Sequence, residues 1–264
     1  MTNLDRNALR EQLCTARIAG DVATPREANL RSYRRLADGS AYQRFGLDLR
    51  QRWTVAAILE VMARRCGVSP DPGHTYGPDT IDPDLTLNAL DAAADLLRVA
   101  ARDRARVMLA TGHPAGLLPV HQALAAGLRA AGCTLLTPAP GWSYEEYKND
   151  DLVTREIRYV GDVAMVSNRG ELNHTHSAVP MQGALAELAR AGEALPDLVV
   201  ADHGWAGAAG EAGVAAIGFA DSNDPGLFLG QEEGKIAVAV PLDDNVSPQL
   251  YGPLITYLLQ AADL

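Results

Sequence analysis

The stretch that decides the fold is Val107-Met108-Leu109-Ala110-Thr111-Gly112-His113-Pro114, followed by a helical run to Ala131, Gly132, and Thr134-Leu135-Leu136-Thr137. A short apolar run that stops at a Gly-containing loop, opens a helix, ends on Gly and returns to a second short apolar run spells a βαβ unit. The same grammar recurs downstream. Leu198 to Ala201 ends at Asp202-His203-Gly204, and Ile217 to Ala220 ends at Asp221-Ser222-Asn223-Asp224-Pro225. Lys235 to Val240 leads to Asp243-Asp244-Asn245. Four-residue runs apolar throughout are those of strands buried on both faces, hence of a parallel sheet. Arg155 to Val160 and Asp162 to Val166, separated by Gly161, read as a hairpin, so the sheet is open to being mixed.

Residues 1 to about 102 read as helical. Thr24-Pro25-Arg26-Glu27 is a helix start, with Thr24 as cap, Pro25 in the first helical position and a favourable early Glu27. A long helix is expected from about Leu49 to Arg65, and another from Asp84 to Ala101. Ser69 to Pro83, with four prolines and two glycines, reads as a loop. Pro248 to Ala261 reads as a closing helix. The expected architecture is a three-layer α/β fold with a mostly parallel sheet and a helical N-terminal cap: residues 1–102 as cap, residues 103–264 as the α/β catalytic domain.

A chain of 264 residues is long enough for this plan, and 47% hydrophobic residues give it a core. The net charge of −10 opposes non-specific nucleic-acid binding and requires local cations or a metal at any phosphate site. Cys14, Cys66 and Cys133 show no CxxC spacing and read as reduced packing residues. No window approaches the roughly 18 consecutive apolar residues of a membrane span, and the charged first 20 residues do not resemble a signal peptide. A cytoplasmic location is expected, and a homo-oligomer is compatible with the composition.

In an open α/β sheet, ligands bind beyond the carboxyl ends of the strands. Thr111-Gly112-His113 offers backbone N–H groups and a helix N-terminus to an anion, or else is simply a tight turn. Asn173-His174-Thr175-His176-Ser177 brings two imidazoles to one place, for metal ligation, phosphate contact or proton transfer, unless it is a solvated loop capped by Ser177. Asp202 ends a strand and serves either a ligand or the next helix as cap. Asp221, Asn223 and Asp224 offer oxygen to a hard cation, Mg²⁺ or Mn²⁺, or form an Asx-rich turn. Lys235 is a candidate phosphate contact, whereas Asp243 and Asp244 read rather as caps of the last helix. There is no GxSxG, HExxH or Walker spacing.

These motifs, together with Gly20-Asp21-Val22-Ala23-Thr24-Pro25-Arg26, resemble over nearly the whole chain a bacterial family, common in actinobacteria, labelled simply "phosphatase". A looser similarity links the chain to metal-dependent damage-control phosphatases, which use Asp, Asn and Asp around Mn²⁺ or Mg²⁺ beneath a helical portion. Read together with the residues, this gives the expected function: a metal-dependent phosphohydrolase acting on a small phosphorylated metabolite, sugar- or polyol-phosphate-like. Asp202, Asp221, Asn223 and Asp224 then hold the divalent cation. Thr111, Gly112, Lys235 and Arg26 meet the phosphate, and His113, His174 and His176, beside Asp202, are the catalytic candidates. A lyase or transferase on a sugar or nucleotide, and a non-catalytic small-molecule binding protein, are the alternatives.

Overall fold

The computed structural model describes residues 5–148 and 151–264. In chain order its elements are α1 (Arg6–Thr15), β1 (Gly20–Asp21), α2 (Arg26–Ala37), α3 (Ala41–Arg44), α4 (Val55–Arg65), β2 (Thr80–Ile81) and α5 (Pro83–Arg102). Then come β3 (Arg106–Ala110), α6 (Pro114–Ala130), β4 (Thr134–Leu135), β5 (Ser143–Lys148), β6 (Asp151–Val160), β7 (Val163–Asn168) and β8 (Glu171–Asn173). The chain closes with α7 (Val179–Arg190), β9 (Leu198–Asp202), α8 (His203–Glu211), β10 (Ala215–Ala220), α9 (Pro225–Glu232), β11 (Val238–Pro241), a 3-10 turn (Pro248–Tyr251) and α10 (Gly252–Ala261).

One large sheet runs in the order β11-β10-β9-β3-β7-β6-β5, with β4 beside β3 and β8 beside β7. It is parallel from β11 through β9 and β3 to β4 and β7, and antiparallel from β7 outward. The expected α/β fold with a mixed sheet is what the chain forms. From β3 the chain first moves to β4, and later returns through β9 to β10 and β11 on the other side. Right-handed crossovers therefore put α6 on one face and α8 and α9 on the other, and open a crevice between β3 and β9. Beside α6 pack α10 and α5, with α1 against those two; beside α8 packs α7, and beside α9 pack α4, α3 and α2. One buried hydrophobic cluster extends from Leu9 to Ala262 and takes in both the helical first third and the sheet.

Local chemistry accounts for the differences from the sequence reading. The helix expected from Leu49 starts at Val55, because the Thr54 hydroxyl accepts the Ala57 N–H and caps it there. Thr24 does not cap α2; its hydroxyl is donated to Asp221 Oδ2 (2.5 Å), and Pro25 is the N-cap residue. Within the proline-rich loop, Thr80–Ile81 pairs with Gly20–Asp21. Strands β5 and β8 are polar and largely exposed, so hydrophobic pattern gives no sign of them. The β7–β8 turn has Arg169 at φ 51° and Gly170 at φ 89°, the two positive φ values of a type I′ hairpin. The three cysteines are free. Among the described residues, no helix is long and apolar enough to cross a membrane.

Candidate active site

The site lies at the carboxyl edge of the sheet, over the β3–β9 crevice. Two close backbone approaches build it. Gly112, at the end of β3, donates its N–H to Asp202 Oδ1 (2.6 Å), and its carbonyl accepts the Thr175 N–H (2.9 Å). A Cβ on Gly112 would stand 2.3 Å from the Thr175 carbonyl oxygen. In α8, a Cβ on Gly204 would stand 2.3 Å from the Ser177 carbonyl oxygen and 2.4 Å from that of His176. Only glycine lets these backbones touch, and the contact brings the His174–Ser177 loop against the ends of both β3 and β9.

His203 is the hub. Its Nδ1 lies 2.7 Å from Asp202 Oδ1, and its Nε2 lies 3.2 Å from Asp224 Oδ2 and 3.3 Å from Asp244 Oδ2. Its ring stands 4.2 Å from that of His176 and 5.3 Å from that of His174. The backbone at His203 has φ 46°, in the left-handed region, which costs a residue with a Cβ about 1 kcal/mol and is held by the surrounding packing. His176 stacks on Tyr42 at 4.3 Å, and His113 stacks on His174 at 4.5 Å. His113 Nε2 meets Asn245 Oδ1 at 3.1 Å; its Nδ1 is 3.3 Å from Asp244 Oδ1 but misaligned for a hydrogen bond.

A cavity of about 370 Å³ is lined by His113, His174, His176, His203, Asp221, Asn223, Asp224, Asp244 and Asn245, with Thr24, Arg31, Arg35 and Tyr42 from the helical first third. The three loops singled out in the sequence thus converge on one space. Asp202 stands behind it. Fully buried, it accepts from Gly112 N–H and His203 with one oxygen and from the Thr111 hydroxyl (2.5 Å) with the other. Both of its oxygens are committed within the protein, so it orients His203 instead of reaching an ion. It also makes no side-chain cap to α8. Thr111 is likewise buried, with its oxygen shared between Asp202 and the His113 N–H.

Three sequence expectations are corrected. Lys235 opens the approach to β11, at the amino end of the strand and away from the site, where its ammonium binds Glu211 and the Asp48 carbonyl. Arg26 is fully buried and binds Asp79 (3.0 Å) and the carbonyls of His74 and Asp71, which secures the proline-rich loop. The arginines that do line the cavity are Arg31 and Arg35, at i,i+4 on α2. Asp243 and Asp244 do not cap α10. Asp243 accepts the N–H groups of Asn245 and Ala23, and Asp244 faces His203 and His113. His203, Asp243, Asp244 and Asn245 are the site residues that the sequence reading left out of its candidate set.

Among the described residues, three groups of side chains have donor atoms within 4.8 Å of one another: His113/His174/His203, His176/His203/Asp224 and Asp221/Asp243/Asp244. Oδ1 of Asp224, Oδ2 of Asp244 and Nδ1 of His176 are buried without a hydrogen-bond partner. Buried polar atoms left without partners are costly, and a cation is the ligand that this donor set fits.

Electrostatics follow from the crowding. Burial opposes charge on His203, but Asp224 and Asp202 outweigh it and raise its pKa well above the usual value. Burial, then the His203 imidazolium, lowers His176 below its usual range and takes His174 down to about 4. Burial, with Asp244 and Asp243 nearby, raises Asp221 well above the ordinary carboxyl value, and burial raises Asp224 and Asp243 as well. Asp202 goes the other way: burial works against its charge, but His203 holds it at about 2.

The sign of the pH dependence follows. For the raised carboxyls, the unfolded chain releases its protons near pH 3.8, so their contribution is complete below that pH and is lost as pH rises toward the folded values. For His203, stability is complete below pH 6.5 and is lost as pH rises through its higher folded value. Asp202 opposes this only below pH 3.8, and the lowered His174 and His176 oppose it between pH 6.5 and their lower folded values. Above pH 6.5, of these groups only the raised ones still titrate, so the metal-free protein should melt at a higher temperature at pH 7 than at pH 9 in calorimetry; the reverse order would contradict these shifts.

The family model described as "Phosphatase" matches residues 4–264. A curated relative, "Phosphatase SCO2771" of Streptomyces coelicolor, is 51% identical over 261 residues, which cover 98% of this chain and 97% of that protein. With the matched region spanning the sheet, the helical first third and every loop of the cavity, the chain belongs to the Phosphatase family.

Proposed function

We propose that this phosphatase is a divalent-cation-dependent phosphomonoesterase acting on a small phosphorylated metabolite. The observation that carries the reading is the set of buried, unpartnered donor atoms of Asp224, Asp244 and His176 on a cavity whose rim bears Arg31 and Arg35. A cation suits so many lone pairs in one buried place, and an anion suits the adjacent guanidinium groups. A bound Mg²⁺ or Mn²⁺ supplies Lewis-acid charge for phosphoryl oxygens and acidifies a water molecule.

The chain's own residues have distinct tasks in this reading. Donors for a cation come from the Nε2 of His203 with His176 and Asp224, and from Asp221 with Asp243 and Asp244; Asn223 also lines the cavity. Asp202 holds the proton on His203 Nδ1 and so keeps Nε2 turned toward the cavity. Arg31 and Arg35 bind and orient the phosphate, and offset the acidity of the whole protein where the substrate enters. His113, partly freed because its Nδ1 has no hydrogen-bond partner, carries the proton for the leaving oxygen. Tyr42, stacked on His176, covers one wall and limits water there.

The test is hydrolysis of a generic aryl phosphate by chelator-treated protein. Activity should be absent, and restored by Mn²⁺ or Mg²⁺, and the same ions alone should raise the melting temperature. Full activity of metal-free protein, with no thermal shift on adding either ion, would overturn the reading.

A further inference from the structure

We propose that the cavity holds two cations of unlike chemistry: one at an imidazole pole formed by His176, His203 and Asp224, the other at an all-carboxylate pole formed by Asp221 and Asp243, with Asp244 between them. The inference rests on the cation-dependent reading above and adds a stoichiometry and a division of ligands.

The two donor groups His176/His203/Asp224 and Asp221/Asp243/Asp244 share no residue. The third group, His113/His174/His203, reuses His203, whose Nδ1 is committed to Asp202. A single remaining nitrogen serves a single ion, so the imidazole end of the cavity takes one cation and not two. Asp244 joins the poles. Its Oδ2 is 3.3 Å from His203 Nε2, and a carboxylate oxygen of the same residue lies within 4.8 Å of donors on Asp221 and Asp243.

The burial pattern supplies the independent sign of ligands. Asp224 is 2% exposed and Asp244 5% exposed, and each has one oxygen without any hydrogen-bond partner. One orphaned oxygen belongs to the imidazole pole and the other to the bridging position. A carboxylate bridge between neighbouring cations is the arrangement of two-ion phosphoryl-transfer sites, whose ions stand about 3.5–4 Å apart. Donor chemistry separates the poles. Imidazole with one carboxylate suits a transition ion such as Mn²⁺ or Zn²⁺, and carboxylates alone suit Mg²⁺ or Mn²⁺.

The experiment uses full-length protein, stripped with chelator, reloaded with Mn²⁺, desalted and assayed by elemental analysis and electron paramagnetic resonance. Wild type should carry two Mn²⁺ per chain with a spin-coupled spectrum. His176→Ala and Asp243→Asn should each carry one, with the uncoupled six-line spectrum. After loading with Zn²⁺ alone, Asp243→Asn should keep its ion and His176→Ala should lose it. Circular dichroism verifies folding, and His176→Gln and Asp221→Asn replace any variant that does not fold. One Mn²⁺ per wild-type chain with metal-dependent hydrolysis overturns the two-cation inference and leaves the functional reading standing. Two ions retained in both variants overturn the ligand assignment. No bound Mn²⁺, with hydrolysis unimpaired, removes both.

Discussion

His203→Gln should lower kcat/KM for an aryl phosphate by at least about a thousandfold, with far-UV circular dichroism unchanged. The expectation follows from position. His203 Nε2 is the atom on which Asp224 and Asp244 both converge, at 3.2 and 3.3 Å, and the ring abuts His174 and His176. Glutamine fills similar space, so the packing around the site is spared. It offers no imidazole nitrogen to a cation. The steady-state rates with saturating Mn²⁺ measure the effect. A loss of less than tenfold would show that His203 is packing and not part of the site.

Asp202→Asn should lower the melting temperature by about 6–12 °C and reduce kcat/KM by about 10- to 100-fold. Asp202 touches no part of the cavity, so its influence is through His203. The substitution removes the negative charge 2.7 Å from His203 Nδ1 and leaves the amide NH₂ facing either the Thr111 hydroxyl or the donors on Gly112 and His203. Breaking one partner of a fully buried ion pair costs about 3–5 kcal/mol. A positioning role makes a further demand that a merely structural one does not. With Asp202 neutralised, His203 holds its proton less firmly, so the pH–rate profile should shift to lower pH even in protein that is fully folded at the assay temperature. An unchanged profile would assign Asp202 to the scaffold alone.

The fold was readable because its strands are buried on both faces. Val107–Ala110, Leu198–Ala201 and Ile217–Ala220 are short, wholly apolar and stop at polar clusters, a pattern that few other structures share. Strands β5 and β8 were unreadable for the opposite reason: half-exposed strands rich in Glu, Lys and Asn carry no apolar signature. The site was partly readable. Strand ends identified His113, Asp221 and Asp224, and the paired imidazoles identified His174 and His176. Lys235 was misread because it precedes its strand, and the amino end of a parallel strand faces away from the ligand edge. Asp243 and Asp244 follow β11 at the carboxyl end, and the same edge rule that selected Asp221 selects them over a capping role. Arg26 differs from Arg31 and Arg35 in helical phase: the latter two are four residues apart and share a face, and Arg26 turns toward Asp79. His203 follows a strand-terminal Asp directly. Its sign in the sequence was that adjacency, but its left-handed backbone and its place among three carboxylates belong to the folded chain alone.

The central claim is that a divalent cation binds between the carboxylates and imidazoles at the carboxyl edge of the sheet. The most direct measurement is a crystal structure of protein soaked in Mn²⁺ and inorganic phosphate, with anomalous data recorded for manganese. The account predicts anomalous density about 2.0–2.3 Å from His203 Nε2 and from oxygens of Asp224 or Asp244, with phosphate between it and Arg31 or Arg35. A cavity without anomalous density, in a crystal whose protein is active with Mn²⁺, would contradict it.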